Sequence, residues 1–146
     1  MVNVATPDAM FELGRRIGAQ LRLGDLLIIN GPLGAGKTLL TQGIGEALGI
    51  TGITSPTFVI SRVHKGKIAF IHVDAYRLMI SENPTFSFDD LDLDTERENA
   101  ITVVEWGGEL ASRLSDERLE INIDRSSDVR TVTSKGYGTR WTGFSL

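Results

Sequence analysis

The first third of the chain carries two helical patterns of apolar residues, separated by a short continuous apolar run. The first pattern predicts a helix from Thr6-Pro7 to about Arg22, with a hydroxyl cap and a proline at the first helical position. Its apolar face consists of Met10, Leu13, Ile17 and Leu21. The run 26–29 is typical of a strand buried on both faces of a sheet. The second helical pattern, 39–48, ends at a glycine.

The rest of the chain is dominated by patterns that favour strands. Strands are predicted at residues 57–63, 67–73, 101–104, 118–123 and 129–134, with 140–144 as a candidate for a last one. Lys65-Gly66 predicts the turn of a hairpin, and 109–114 predicts at most a short helix. Since no linker or internal repeat interrupts this order, we expect one α/β domain spanning residues 1–146.

Composition and charge exclude several classes of protein. The chain of 146 residues is 41% hydrophobic and 23% charged, as in soluble globular proteins, and no apolar run approaches the roughly 20 residues that span a bilayer. The N-terminus lacks a charged segment followed by an apolar one, so we expect a cytoplasmic protein without a secretory signal. With no cysteine and two histidines, neither a disulfide nor a zinc site is expected. The net charge of −4 argues against autonomous binding to nucleic acid.

Residues 31–38 read GPLGAGKT and match the phosphate-binding pattern G-x-x-x-x-G-K-[ST] in full. Glycines permit positive φ and close approach, so backbone N–H groups can point at phosphate oxygens. The pattern places Lys37 near the β- and γ-phosphates and the Thr38 hydroxyl on Mg²⁺. Because an apolar strand precedes the loop and a helix follows it, we expect this segment to bind a nucleotide. The expected fold is therefore a P-loop NTPase-like mixed sheet flanked by helices.

Two acidic residues follow apolar strands, at the edge where open α/β sheets place their ligand sites. Asp74 ends KIAFIHVD, and Glu105 ends AITVVE. For either residue alone, a carboxylate that caps a turn is a plain alternative, but two beside a phosphate loop favour the second acid of a Mg²⁺ site.

Four further features leave alternatives open. SPTF, at 55–58, lies where GTPase-like proteins hold a switch segment, and a proline turn entering a strand explains it equally well. His72 is interpreted as a packed or surface histidine rather than a base. Trp106 is either a core residue or a lid over the site. The acidic stretch 89–98 is either a solvated face or a docking surface for a basic partner.

Four motifs together identify a family. GPLGAGKT, SPTF, HVDAYRL and VVEW, in this order and at these intervals, strongly resemble the TsaE (YjeE) family from Thr6 to about Arg130. The loop by itself is generic, whereas D-x-Y-R-L followed by V-E-W is close to diagnostic. The resemblance implies a small P-loop ATPase, slow by itself, that is required for threonylcarbamoylation of adenosine 37 in tRNA.

The resemblance also implies cofactors, partners and a set of site residues. The cofactors are ATP and Mg²⁺. The partners are a transferase and its dimerising paralogue, of the TsaD and TsaB type, which ATP hydrolysis resets between turnovers; tRNA is contacted only indirectly and no membrane is involved. Lys37, Asp74 and Glu105 would carry hydrolysis, with Thr38 and Glu105 on the metal. The nucleotide would be bound by Thr6, Leu33, Gly34, Ala35, Gly36, Lys37, Thr38, Thr57, Trp106 and Arg130.

The sequence departs from the family pattern in three places, and two other functions stay open. Pro32 stands where the family commonly has aspartate, residues 80–99 run longer and more acidic than expected, and the segment after Gly136 has no family role. A small-molecule or nucleotide kinase is one alternative, although it should carry a basic lid where this chain is acidic. The other is an adaptor that ATP switches without hydrolysis.

Overall fold

The computed structural model describes residues 1–54, 61–64, 68–76, 97–106 and 108–146. Within these ranges the strands are β1 Val2–Val4, β2 Leu26–Asn30, β3 Ser61–His64, β4 Ala69–Asp74, β5 Ala100–Glu105, β6 Arg118–Asp124 and β7 Arg130–Tyr137. The α-helices are α1 Pro7–Gly18, α2 Lys37–Ala47 and α3 Gly108–Ser112, and short 3₁₀ helices span Arg97–Asn99 and Thr139–Trp141. No helix in these ranges combines the length and apolar character needed to cross a membrane.

The described strands form one mixed sheet in the order β1-β7-β6-β2-β5-β4-β3. β2, β4, β5 and β6 run parallel to their neighbours in the centre, whereas the pairs β3/β4, β6/β7 and β1/β7 are antiparallel. The register sets Asp74 of β4 opposite Glu105 of β5, and Glu105 opposite Ile29 of β2. The carboxyl ends of three central strands therefore meet at one edge, and the predicted α/β mixed sheet is confirmed.

β2 is buried on both faces, as its continuous apolar run predicts. Leu27 and Ile29 belong to the larger core cluster, under α1 and α2, while Leu26 and Ile28 belong to a smaller cluster on the opposite face. All four side chains have no exposed surface. This double burial fixes the strand from which the phosphate loop leaves.

α1 and α2 pack closely through glycines, and this contact places the start of α2. A Cβ atom added at Gly14 would collide with the backbone oxygen of Leu40, and one added at Gly43 would collide with that of Phe11. Backbones can approach this closely only where side chains are absent. The helix that carries Lys37 is thereby held against α1 at a defined distance from the sheet.

The predicted end of the first helix is wrong, and one strand was missed. α1 ends at Gly18 rather than near Arg22, because the chain turns there: Gln20 N–H donates to the Ile17 oxygen at 2.9 Å and Arg22 N–H to the Asp25 carboxylate at 2.9 Å. β1, with three residues, was too short to give a periodic signal. The predicted hairpin is consistent with the antiparallel pair β3/β4, but its turn at 65–66 lies outside the described residues.

The candidate strand 140–144 is wrong: the 3₁₀ helix Thr139–Trp141 and a turn occupy this segment, which anchors the end of the chain. Trp141 is 4% exposed and lies in the larger core cluster, with its ring edge-on to Phe144 at 5.5 Å. Arg140 donates to both carboxylate oxygens of the buried Asp25, at 2.8 and 2.6 Å. The segment after Gly136 therefore stabilises the beginning of β2.

Candidate functional site

The loop between β2 and α2 has the backbone of an anion-binding turn. Gly34 and Gly36 have φ of 72° and 107°, a region that favours glycine. α2 begins at Lys37, and no side chain in the described ranges caps its first turn. The free N–H groups and the positive end of the helix dipole therefore face the loop, as an anion requires.

Pro32 contributes to this loop through its carbonyl oxygen. That oxygen accepts from the Ala35 N–H at 3.1 Å and from the Lys37 ammonium at 2.9 Å. Proline begins the tight turn and lacks only an N–H group, which this turn does not use. The departure from the family pattern is therefore compatible with the loop geometry.

Lys37 lies inside the loop, with 6% of its surface exposed. Its ammonium donates to the oxygens of Gly31, at 2.8 Å, and Pro32, and lies 3.6 Å from the centre of the Trp106 ring. Burial lowers the pKa of Lys37 below its usual range, while Glu105 and Asp74 oppose that shift. The lysine is thus a poorly solvated cation that phosphate oxygens would stabilise better than neutral carbonyl groups do.

Glu105 is buried at the end of β5, and its two carboxylate oxygens contact three polar side chains. Its Oε1 accepts from the Thr41 hydroxyl at 3.0 Å and lies 2.8 Å from His72 Nε2. Its Oε2 lies 3.4 Å from the Thr38 hydroxyl, and its charge raises the pKa of Lys37 against the effect of burial. Thr38 and Glu105, predicted as the metal pair, are therefore brought together.

The donor set at this point fits Mg²⁺ rather than a softer metal. A hydroxyl and a carboxylate are hard oxygen ligands, and Mg²⁺ in nucleotide sites keeps several waters besides the phosphates and one or two protein ligands. In the described part of the chain no group of three or more His, Cys, Asp or Glu side chains could hold a metal. A site that relies on phosphate oxygens is consistent with both observations.

Asp74 lies beside Glu105 at the same edge of the sheet. Its carboxylate accepts the Tyr76 N–H at 3.0 Å. Burial raises the pKa of Asp74 above its ordinary value and the charge of Glu105 adds to that rise, while the Tyr76 hydrogen bond opposes it. A carboxylate with a raised pKa is a better proton acceptor than an ordinary aspartate.

Trp106 turns sharply out of β5 and covers Lys37. Its φ of 62° is in the left-handed region, and its N–H donates to the Ile29 oxygen at 3.0 Å. The indole ring lies 5.0 Å from the Tyr76 ring. Of the two interpretations of Trp106, the lid over the site is therefore the one that the geometry supports.

Two cavities flank the glycines of the loop. The larger, of about 430 Å³, is lined by Leu33, Gly34, Gly36, Lys37, Thr38, Leu39, Asp74, Tyr76, Glu105 and Trp106. The smaller, of about 180 Å³, includes Thr6, Ala35 and Arg130 in its lining and shares Gly34 and Gly36 with the larger. Every predicted site residue in the described ranges lines one of these cavities, and Thr57 lies outside those ranges.

Two residues that contact Glu105 were not predicted as site residues from the sequence. Thr41 was not considered, although it lies four residues after Lys37, one helical turn further along α2. His72 is packed, as interpreted, but it also contacts Glu105. Its position two residues before Asp74, on the same face of β4, is the signal that could have found it.

Comparison with known proteins identifies the family. The model of the family described as threonylcarbamoyl adenosine biosynthesis protein TsaE matches residues 4–132. This chain belongs to the TsaE family. It is 48% identical over 141 residues to the tRNA threonylcarbamoyladenosine biosynthesis protein TsaE of Streptomyces coelicolor, covering 90% of this chain and 93% of that protein. Residues 133–146, which include the segment after Gly136, lie beyond the residues that the family model matches.

A sequence comparison and a structural comparison, both with Bacillus subtilis, extend the likeness. The TsaE protein of that organism is 36% identical over 143 residues, which cover 95% of this chain and 87% of the relative. The crystal structure of Bacillus subtilis YdiB superposes with a TM-score of 0.78 at 31% identity, over 97% of this chain and 87% of that one. The resemblance to TsaE that the four motifs predict is therefore confirmed.

Proposed function

We propose that this chain is an ATP-hydrolysing subunit required for N6-threonylcarbamoylation of adenosine 37 in tRNA. It acts on a transferase complex of the TsaD and TsaB type and does not transfer the group itself. The observation that carries the proposal is the placement of Lys37, Thr38 and Glu105 around one cavity, in a chain 48% identical to a TsaE protein. The activity belongs in the cytoplasm, where tRNA is modified.

The two cavities suggest how the nucleotide lies. Its phosphates occupy the larger cavity against the loop and the first turn of α2, where N–H groups and Lys37 are available. Its sugar and base extend over Gly34 and Gly36 to the smaller cavity, between Thr6 and Arg130. The exposed Leu33 lies at the entrance of the phosphate side.

Thr38 and Glu105 are the residues that would hold Mg²⁺, which supplies neutralisation of the phosphate charge. Lys37 leaves the Gly31 and Pro32 oxygens and binds phosphate oxygens. Asp74, with its raised pKa, orients the attacking water and accepts its proton. Trp106 limits the access of bulk water to Lys37.

A slow intrinsic rate is part of the proposal. No arginine lines the larger cavity among the residues that are described, and Arg77, the arginine of the HVDAYRL motif, lies outside them. P-loop enzymes without an arginine at the γ-phosphate hydrolyse slowly until a partner supplies one or orders the site. We therefore expect the transferase complex to stimulate hydrolysis.

The test is a multiple-turnover reaction with a purified transferase pair, tRNA and a threonylcarbamoyl donor. We expect about one modification per transferase without this chain, and many with it and ATP, accompanied by release of free phosphate. Lys37→Ala is expected to leave only the first turnover. Many turnovers without phosphate release would support the ATP-switched adaptor instead, and phosphate transferred to a metabolite would support the kinase.

A further inference from the structure

We propose that Thr41 and His72 are positioning residues that fix the Glu105 carboxylate, holding Oε1 so that Oε2 alone is presented to Thr38 and the phosphate cavity. This inference rests on the proposed function, because it assigns how the metal-side acid of that site is oriented. Neither residue lines the cavity, so each acts through Glu105.

His72 has the geometry of a donor dedicated to Glu105. Its side chain is completely buried, and Nε2 lies 2.8 Å from Glu105 Oε1. A carboxylate oxygen accepts hydrogen bonds, so the contact uses the tautomer of His72 in which Nε2 is the donor. The other ring nitrogen, Nδ1, is buried without a partner in the described ranges. Burial of an imidazole is unfavourable unless it is hydrogen-bonded, so Glu105 is the contact that accounts for a histidine here.

Thr41, on α2, contacts the same oxygen of Glu105 that His72 contacts from β4. Its hydroxyl is completely buried, 3.0 Å from Glu105 Oε1 and 2.9 Å from the Lys37 backbone oxygen, and its single proton is shared between these two acceptors. Thr41 lies three residues after Thr38, so the two hydroxyls share one face of α2. One hydroxyl therefore contacts the fixed oxygen of Glu105 and the other contacts the oxygen that faces the cavity.

The two carboxylate oxygens of Glu105 consequently differ in how closely they are held by neighbouring side chains. Oε1 has contacts at 2.8 and 3.0 Å, whereas Oε2 has the longer contact of 3.4 Å with Thr38. Removal of either donor would allow the carboxylate to rotate away from Thr38. Partners that orient a metal ligand in this way change metal affinity by about 10- to 100-fold when they are mutated.

The experiment measures ATP affinity by calorimetry with Mg²⁺ and with EDTA, on folded variants checked by thermal unfolding. Mg²⁺ raises the ATP affinity of the unmodified protein by some factor, and this factor is expected to fall about tenfold or more in Thr41→Val and His72→Leu. The ATP affinity in EDTA is expected to stay unchanged. Thr41→Ser and His72→Gln, which keep a donor, are expected to recover most of the factor that Mg²⁺ gives. Thr102→Val is the matched control, since Thr102 is buried on the same strand as Glu105 and its hydroxyl has no partner in the described ranges.

Two results would overturn the assignment while leaving the proposed function intact. One is that Mg²⁺ raises ATP affinity in both Thr41→Val and His72→Leu as much as in the unmodified protein. The other is an equal loss of affinity with Mg²⁺ and with EDTA, which would indicate a merely structural role. Failure of the unmodified protein to bind ATP in either condition would instead overturn the proposed function, and this inference with it.

Discussion

The Lys37 ammonium group lies 3.6 Å from the centre of the Trp106 ring, while its two hydrogen-bond acceptors are oxygens of its own loop. The contact pairs a buried cation with the face of an indole ring, which favours it electrostatically. Phosphate oxygens compete for the same ammonium group. Binding of nucleotide should therefore change the surroundings of Trp106 directly.

Intrinsic fluorescence tests this displacement. We expect ATP or ADP to change the tryptophan emission of the protein, because Lys37 leaves the indole ring. The chain has two tryptophans, and Trp141 lies in the core, away from both cavities that flank the loop. Trp106→Phe should abolish the change and Trp141→Phe should keep it. A fluorescence change that persists in Trp106→Phe and disappears in Trp141→Phe would contradict the placement of the phosphates.

Lys37→Ala should weaken ATP binding by roughly 10- to 100-fold, the range expected for loss of a charge-assisted hydrogen bond. Lys135→Ala is the control, since Lys135 lies on β7 against Tyr137, at 4.7 Å from that ring, and lines neither cavity. Titration calorimetry measures the ATP affinity of both variants. Equal affinity of Lys37→Ala and the unmodified protein would show that the loop is not the phosphate site.

Asp74→Asn should stabilise the protein at neutral pH and reduce ATP turnover more than ATP binding. Folding raises the pKa of Asp74, so its ionised form disfavours the folded state. That cost is complete above the folded pKa and disappears as the pH falls through it and below the ordinary value. The melting temperature of Asp74→Asn should therefore exceed that of the unmodified protein at pH 7, and the two should converge near pH 3. A lower melting temperature at pH 7 would contradict the account.

Arg140→Ala should lower the free energy of unfolding by about 3–5 kcal/mol, because it removes the charged partner of the buried Asp25 and leaves the carboxylate with the Arg22 N–H. The side chains of Arg140 and Asp25 are 16% and 4% exposed. The control is Arg15→Ala, whose pair with Glu12 is 50% and 57% exposed and should contribute less than about 1 kcal/mol. Urea unfolding measures the free energy of unfolding of both variants. Similar decreases in Arg140→Ala and Arg15→Ala would mean that the 3₁₀ segment does not anchor the chain.

The sequence allowed the loop and its acids to be predicted, because each depends on a local pattern. The backbone conformation of GPLGAGKT follows from its own glycines, and Asp74 and Glu105 each end an apolar strand. The contacts of Glu105 with Thr41 and His72 could not be predicted, since they join residues 64 and 33 positions apart and depend on the register of β4 against β5. Arg140 was missed for the same reason, because Asp25 is 115 positions away. The roles of the predicted site residues stay predictions, and Thr57 lies outside the described residues.

The central claim is that hydrolysis at Glu105 supports tRNA modification. The direct measurement is the amount of N6-threonylcarbamoyladenosine, by mass spectrometry, in tRNA of bacteria whose own TsaE gene has been replaced. We predict that this chain restores the modified nucleoside and that Glu105→Ala, which we expect to lose turnover more than ATP binding, fails to do so. Absence of the nucleoside with the unmodified chain, or full restoration by Glu105→Ala, would contradict the account.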